Sequence, residues 1–258
     1  MRQPDASRFE FGGVGISCTD MERALDALFR IAHERSGGYF AFTCAHGIVD
    51  SQKDERLRGI LNSSRMTMPD GMPTVWLGRA RGCNVRRVTA PDFFEAAMRD
   101  PRAKGLRHYF YGASPEAIER IAARARELVG VEAVAGAMSP PLRAAGAMED
   151  ADVIADIARR EPHLIWVGLG LPKQEYWMAN HARLLPYSLM LGVGAAFDWF
   201  AGTQPRAPRV LQALGLEWAH RVASEPARLW PRYRAVVPAA LRILARELTG
   251  LRGAPPAA

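Results

Sequence analysis

HLIWVGLGLPKQEYW, residues 163–177, runs an apolar segment into glycines and then into a polar helix start. Residues 164–167 read as a strand buried on both faces, because no polar side chain interrupts them. Gly168 and Gly170 end the run, and glycines there let a ligand approach the backbone closely. Lys173, Gln174 and Glu175 then open a helix. A strand that stops at glycines and hands polar residues to a helix N-terminus is half of a βαβ unit with a pocket at its turn.

The same alternation extends in both directions. GYFAFT (38–43), LRHYFYG (106–112), VEAVAGAM (131–138) and SLMLGVG (188–194) are further strand candidates. Between them, 114–130 places Ile118, Ile121, Ala122, Ala125, Leu128 and Val129 on one helical face. Ser114 is its N-cap, Pro115 its first residue and Gly130 its stop. Residues 149–160 repeat the pattern with Val153, Ile154 and Ile157. The expected fold is α/β, a Rossmann-like, mostly parallel sheet flanked by helices. Ligands bind beyond the carboxyl ends of such strands, which groups Thr43, Gly112, Gly136, Gly168 and Gly194 around one mouth.

The chain has 258 residues, 48% hydrophobic and 24% charged, as a soluble globular protein has. Its net charge of +7 fits anionic partners: phosphorylated small molecules, an acidic membrane surface or nucleic acid. Nucleic acid is disfavoured, because the basic residues gather in the tail rather than on a recognition helix or an aromatic sheet. Cys18, Cys44 and Cys83 are odd in number and lack CxxC spacing, so neither a disulfide framework nor a zinc site is expected. A reducing cytoplasm suits that usage, and the polar opening does not resemble a secretory signal. The longest apolar stretch, 189–200, contains glycines and Asp198 and falls short of the ~20 residues of a spanning helix. Composition shifts near Gln204, so the chain divides into an α/β core (1–204) and a helical C-terminal appendage (205–258). In the appendage every basic side chain of 206–252 that carries a fixed charge is arginine, interleaved with Trp218, Trp230 and Tyr233. That pattern reads either as a membrane- or phosphate-contacting surface or as a helix with solvated arginines.

Two stretches are candidates for chemistry. In MPDGMP (68–73), Asp70 sits on a turn where a carboxylate serves as a general base, or only caps the backbone. GLGLPKQE fails as a dinucleotide fingerprint, because Lys173 stands where the third glycine belongs. Lys173 and Gln174 instead suit a phosphate and a sugar at a helix start; the alternative is a helix whose charges face solvent. His46 is the one histidine near the mouth, and no metal-ligand spacing occurs, so no metal or other cofactor is expected.

Taken in order, the motifs TCAHGIV (43–49), MPDGMP, RRVTAPDF (86–93), FYGASPE (110–116), GAMSPP (136–141), VGLGLPKQEYW and LGVGAAFDWFAGTQPRAP (191–208), followed by GLEW…R…EPxR…RY, make the chain resemble the bacterial TagA/WecG/CpsF glycosyltransferases. The resemblance runs from about Gly13 to Tyr233. It implies inverting transfer of a hexose or N-acetylhexosamine-type sugar from a UDP-sugar, without a metal. The implied acceptor is a polyprenyl-diphosphate-linked sugar at the cytoplasmic face of the membrane, where the protein would be peripheral. By that likeness Asp70 matches the general base, and Thr43, Arg87 and Gln174 match polar residues of the pocket. His46, Gly168, Gly170, Lys173 and Gly194 complete the expected substrate-binding set. Arg221, Arg228 and Arg232 match residues that reach the diphosphate and the membrane. Three departures stand out. Ala45 replaces the asparagine of T-x-N, with His46 beside it; Ala90 replaces a glycine; and Pro231 is expected to end or kink the tail helix just before Arg232. Donor sugar, acceptor linkage and oligomeric state are left open, and a non-catalytic nucleotide-sugar- or lipid-sugar-binding protein is the alternative reading.

Overall fold

The computed structural model describes residues 6–140 and 151–250. A hairpin of β1 (Arg8–Phe11) and β2 (Val14–Ser17) is followed by α1 (Met21–His33), β3 (Gly38–Thr43), α2 (Ala45–Ser51), α3 (Glu55–Ser63), β4 (Met66–Pro69) and α4 (Met72–Ala80). Next come α5 (Ala90–Arg99), a 3-10 turn (Pro101–Gly105), β5 (His108–Gly112), α6 (Pro115–Val129), β6 (Val134–Met138) and α7 (Ala151–Arg160). The chain continues through β7 (Leu164–Gly168), α8 (Lys173–His181), β8 (Leu189–Gly192) and α9 (Ala196–Phe200). It finishes with α10 (Arg209–Ala213), α11 (Glu217–Ser224) and α12 (Pro226–Thr249).

Six strands form one parallel sheet in the order β4-β3-β8-β7-β5-β6. Side chains alternate across it. Phe40, Phe42, Leu164, Trp166 and Leu191 pack with Leu28, Phe93, Phe94, Ile121 and Phe197 from α1, α5, α6 and α9. Tyr39, Ile165, Val167 and Met190 pack with Ile60, Ile157 and Met178 from α3, α7 and α8 on the opposite face. Apolar side chains on both faces explain why these strands read as unbroken apolar runs. The hairpin is a separate two-stranded sheet beside the β4 edge, where Ser17 Oγ accepts from Thr67 N–H at 3.1 Å.

The five strand runs of the sequence appear as β3 and β5–β8, and α6 is capped by the Ser114 hydroxyl and stops at Gly130. Four expectations need correction. Gly136 lies within β6 rather than at its carboxyl end; a Cβ there would sit 2.5 Å from the Tyr109 ring, so its glycine serves packing. MTMP is a strand that its sequence does not announce, because Thr67 and Pro69 interrupt the apolar run, yet β4 delivers Asp70 to the sheet's carboxyl edge. Cys18 and Cys83 are joined as a disulfide, with Cα atoms 5.5 Å apart after a separation of 65 positions that no local spacing announces. Pro231 does not end the tail helix: α12 continues through it and through Pro238. Leu229, Val236, Ala240 and Leu244 form one buried stripe along the helix, which contacts α2, α4, α11 and the hairpin. Each proline removes one backbone hydrogen bond, and this packing offsets the loss.

Candidate active site

The carboxyl ends of β3, β4, β7 and β8 surround the site. Asp70 follows β4 directly, and the N–H of Ala90 donates to its Oδ2 at 3.3 Å. Ala90 is the first residue of α5, whose N-cap Thr89 accepts from Asp92 N–H at 3.3 Å and donates its hydroxyl to Asp92 Oδ2 at 2.7 Å. A capped helix start thus fixes the donor that holds Asp70. Burial pushes the Asp70 carboxyl up to about 7; Glu217 and Asp92 push the same way, while Ala90 N–H and Arg87 oppose them. An acid with that affinity for its proton is poised to exchange it near neutral pH.

The tail closes this side of the mouth. Arg206 pairs with Asp92 of the core at 2.7 Å and with Glu217 of α11 at 2.7 Å. Arg87 donates to the Gln212 carbonyl at 2.6 Å. Arg221 lies over the Trp199 ring, 5.2 Å from its centroid. Trp218 stacks on Tyr233, whose phenol is pushed up by burial and senses Cys44, Asp70, Arg221 and Arg232. Arg232 is exposed, and the side chain of Arg228 lies outside the described residues.

On the opposite side, Thr43 is fully buried at the end of β3, and its hydroxyl has no partner within the protein. A buried hydroxyl left unpaired at the carboxyl end of a strand is a candidate partner for a ligand or a water. Gln174 is not free in this way. Its Oε1 accepts from Gly170 N–H at 3.2 Å, and its Nε2 donates to the Gly192 carbonyl at 2.8 Å and to Glu175 Oε1 at 3.0 Å. Gly170 and Gly194 adopt positive φ of 76° and 53°, which only glycine takes without strain. Gly168 must be glycine for another reason: a Cβ would lie 2.3 Å from the Phe197 ring. Lys173 is exposed at the start of α8, and His46 Nε2 lies 3.1 Å from Asp50 Oδ2 one turn on. Glu175 is fully buried, and desolvation pushes its carboxyl up to about 7.

Asp70, Arg87, Arg221, Arg232 and Tyr233 therefore share one electrostatic environment, whereas Thr43, Gly168, Gly170, Gly194 and Gln174 form the floor formed by β3, β7 and β8. Sequence reasoning missed Asp92, Trp199, Arg206, Glu217 and Glu175. Only Asp92 had a legible signal, the T-A-P-D capping box; the others meet through tertiary packing alone. A cavity of about 670 Å³ lies elsewhere, between α1 and the residues leading into the hairpin. An open groove of about 400 Å³, lined by Asp20, Met21, Glu22, Asn84, Arg86 and Arg87, shares Arg87 with the mouth. Among the described residues no group of three or more His, Cys, Asp or Glu side chains is placed to hold a metal ion.

The fold and the mouth define a Rossmann-like α/β protein with a polar site at the carboxyl ends of its parallel strands. The chain belongs to the glycosyl transferase WecG/TagA/CpsF family, whose model matches residues 9–253. It is accordingly a glycosyltransferase of cell-surface polysaccharide biosynthesis, a class that uses a nucleotide-sugar donor and a lipid-linked acceptor. No helix among the described residues is long and apolar enough to cross a membrane.

Proposed function

We propose that the protein transfers a hexose or N-acetylhexosamine-type sugar, with inversion, from a UDP-sugar to a polyprenyl-diphosphate-linked sugar. The observation that carries this reading is Asp70: a carboxyl raised to about 7, held by one backbone donor, at a mouth faced by arginines. In the reaction the acceptor hydroxyl oxygen attacks the anomeric carbon while its proton passes to Asp70. The bond from the anomeric carbon to the UDP oxygen breaks, and UDP leaves with the electron pair. Negative charge grows on the leaving diphosphate, and no metal is given a role in neutralising it. Arg87 on the core and Arg221, Arg228 and Arg232 on the appendage are the cations assigned to the two diphosphates. Arg87 first exchanges the Gln212 carbonyl for its ligand. Thr43 and the glycine floor receive the donor, with Lys173 and His46 at its edge. Gln174 shapes that floor rather than contacting the sugar, since its amide is taken up by the chain.

We assign residues 205–258 to an appendage that rests on the cytoplasmic face of the membrane and brings the lipid acceptor to Asp70. Val210, Leu214, Trp230, Leu241 and Leu248 expose apolar surface there, beside arginines that suit anionic headgroups.

The test is UDP release from a panel of UDP-sugars with a short-chain polyprenyl-diphospho-sugar acceptor, in EDTA, for the wild type and Asp70→Asn. Acceptor-dependent release with one donor, lost in the variant, is expected. UDP binding without turnover for any donor would point to a binding protein instead, and full activity in Asp70→Asn would move the base elsewhere.

A further inference from the structure

Gln174 and Glu175 are adjacent in the first turn of α8, yet both are buried, and together they tie the ends of two strands. The two ends of a glutamine amide have nearly the same shape, so hydrogen-bond partners decide which way round it sits. Here the Nε2 end faces two acceptors, the Gly192 carbonyl and Glu175 Oε1, and the Oε1 end faces the Gly170 N–H. Turning the amide over would set oxygen against both acceptors and NH₂ against the Gly170 donor. Glycines make room for it: a Cβ at Gly192 would lie 2.9 Å from Nε2, and one at Gly194 would lie 3.3 Å from Oε1. The second Glu175 oxygen is buried with no partner. A residue kept only to fill space would not carry that cost, because a methionine would fill it without one.

We propose that Glu175 is a positioning residue: it fixes the Gln174 amide, and through that amide the loops 168–171 and 192–194 that floor the mouth. Its consequence for catalysis rests on the transferase reading above, whereas the order it imposes on the loops is observable without turnover.

The experiment compares wild type, Glu175→Ala, Glu175→Gln, Gln174→Ala and the Glu175→Ala/Gln174→Ala double variant at one pH. Amide hydrogen exchange is followed over 168–174, and kcat/KM is measured with UDP-sugar and lipid acceptor. One lost buried hydrogen bond corresponds to about tenfold. Glu175→Ala and Gln174→Ala are each expected to speed exchange of the Gly170 amide, and to lower kcat/KM, by about that factor. The double variant should be no worse than the worse single, and Glu175→Gln, which keeps an acceptor, should lie within about threefold of wild type. Should Glu175→Ala not fold, Glu175→Met takes its place. Unchanged exchange in the Glu175 variant, or effects that multiply in the double variant, would overturn the proposal. Faster exchange with undiminished kcat/KM would overturn its catalytic consequence. Absence of turnover in every form, wild type included, would refute the transferase reading, and the exchange pattern would still decide the positioning role.

Discussion

Asp70 is held by one N–H and senses Glu217 and Asp92 against Arg87, and both conditions shape its chemistry. A carboxyl at about 7 is half-ionised near neutrality, so if it is the base, kcat/KM rises with pH through about 7 and levels off above. Asp70→Asn should lose about 10²–10⁴-fold and flatten that limb, as a pH–rate profile with saturating acceptor would reveal. Glu175 titrates in the same range for a structural reason. Folded, it holds its proton to about 7; unfolded, it releases it near 4.5. Between those values the native state binds the extra proton, so stability falls as pH rises through the window. The burial penalty on this fully enclosed carboxyl is roughly 3 kcal/mol above pH 7. Glu175→Gln should therefore be more stable than wild type at pH 8 and about equal to it at pH 4. Urea unfolding at the two pH values measures this, and a difference independent of pH would disprove the assigned cause.

At the scale of elements, what was legible in the chain is what is decided locally. β3, β5, β7 and β8 could be read because strands buried on both faces are continuous apolar runs, and α6 because its cap, first-position proline and terminal glycine act within one turn. β4 and the hairpin were not legible, since Thr67 and Pro69 interrupt MTMP, and RFEF and VGIS mix charged, small and apolar residues over too few positions to show a period. Asp70 itself could be found from its turn and from family likeness, but its environment could not. Arg206 meets Asp92 and Glu217 only after the tail folds back, and the three partners of the Gln174 amide are brought together only by the fold. The course of α12 illustrates the same limit: local chemistry sets an end or a kink at Pro231, and α12 does not end there. The packing of α12 is testable. Leu229 is buried at 2% exposure on the helix face that meets the core, so Leu229→Ala should cost about 2–5 kcal/mol. Chemical unfolding would register the loss. A cost below about 0.5 kcal/mol, the range of an ordinary surface change, would mean that α12 is not held down there.

Across the whole molecule, charge and apolar surface are distributed unevenly in the same direction. Residues 205–258 carry nine arginines and three acidic residues, a surplus of six positive charges out of the chain's net +7. In α12, Trp230, Leu241 and Leu248 are exposed along one line of the helix, beside the stripe that packs on the core, and Arg232, Arg234, Arg242 and Arg246 are exposed as well. A helix that uses one face for its own protein and leaves a second apolar line, with arginines over the rest of its exposed surface, is suited to lie in an anionic interface. Each arginine near such a surface adds about 1 kcal/mol, falling off within a Debye length. Two contributions with different salt responses follow. Binding to phosphatidylglycerol-containing vesicles should weaken steeply between 50 and 500 mM salt, roughly by the screening of several charges, and should nearly vanish on neutral vesicles. Trp230→Ser with Leu241→Ser should instead lower affinity at every salt concentration, since burial of apolar side chains is not screened. Co-sedimentation across that salt series separates the two. If the arginines only solvate the helix, neither lipid charge nor the apolar substitutions will change the bound fraction, and the lipid acceptor must reach Asp70 without help from the tail.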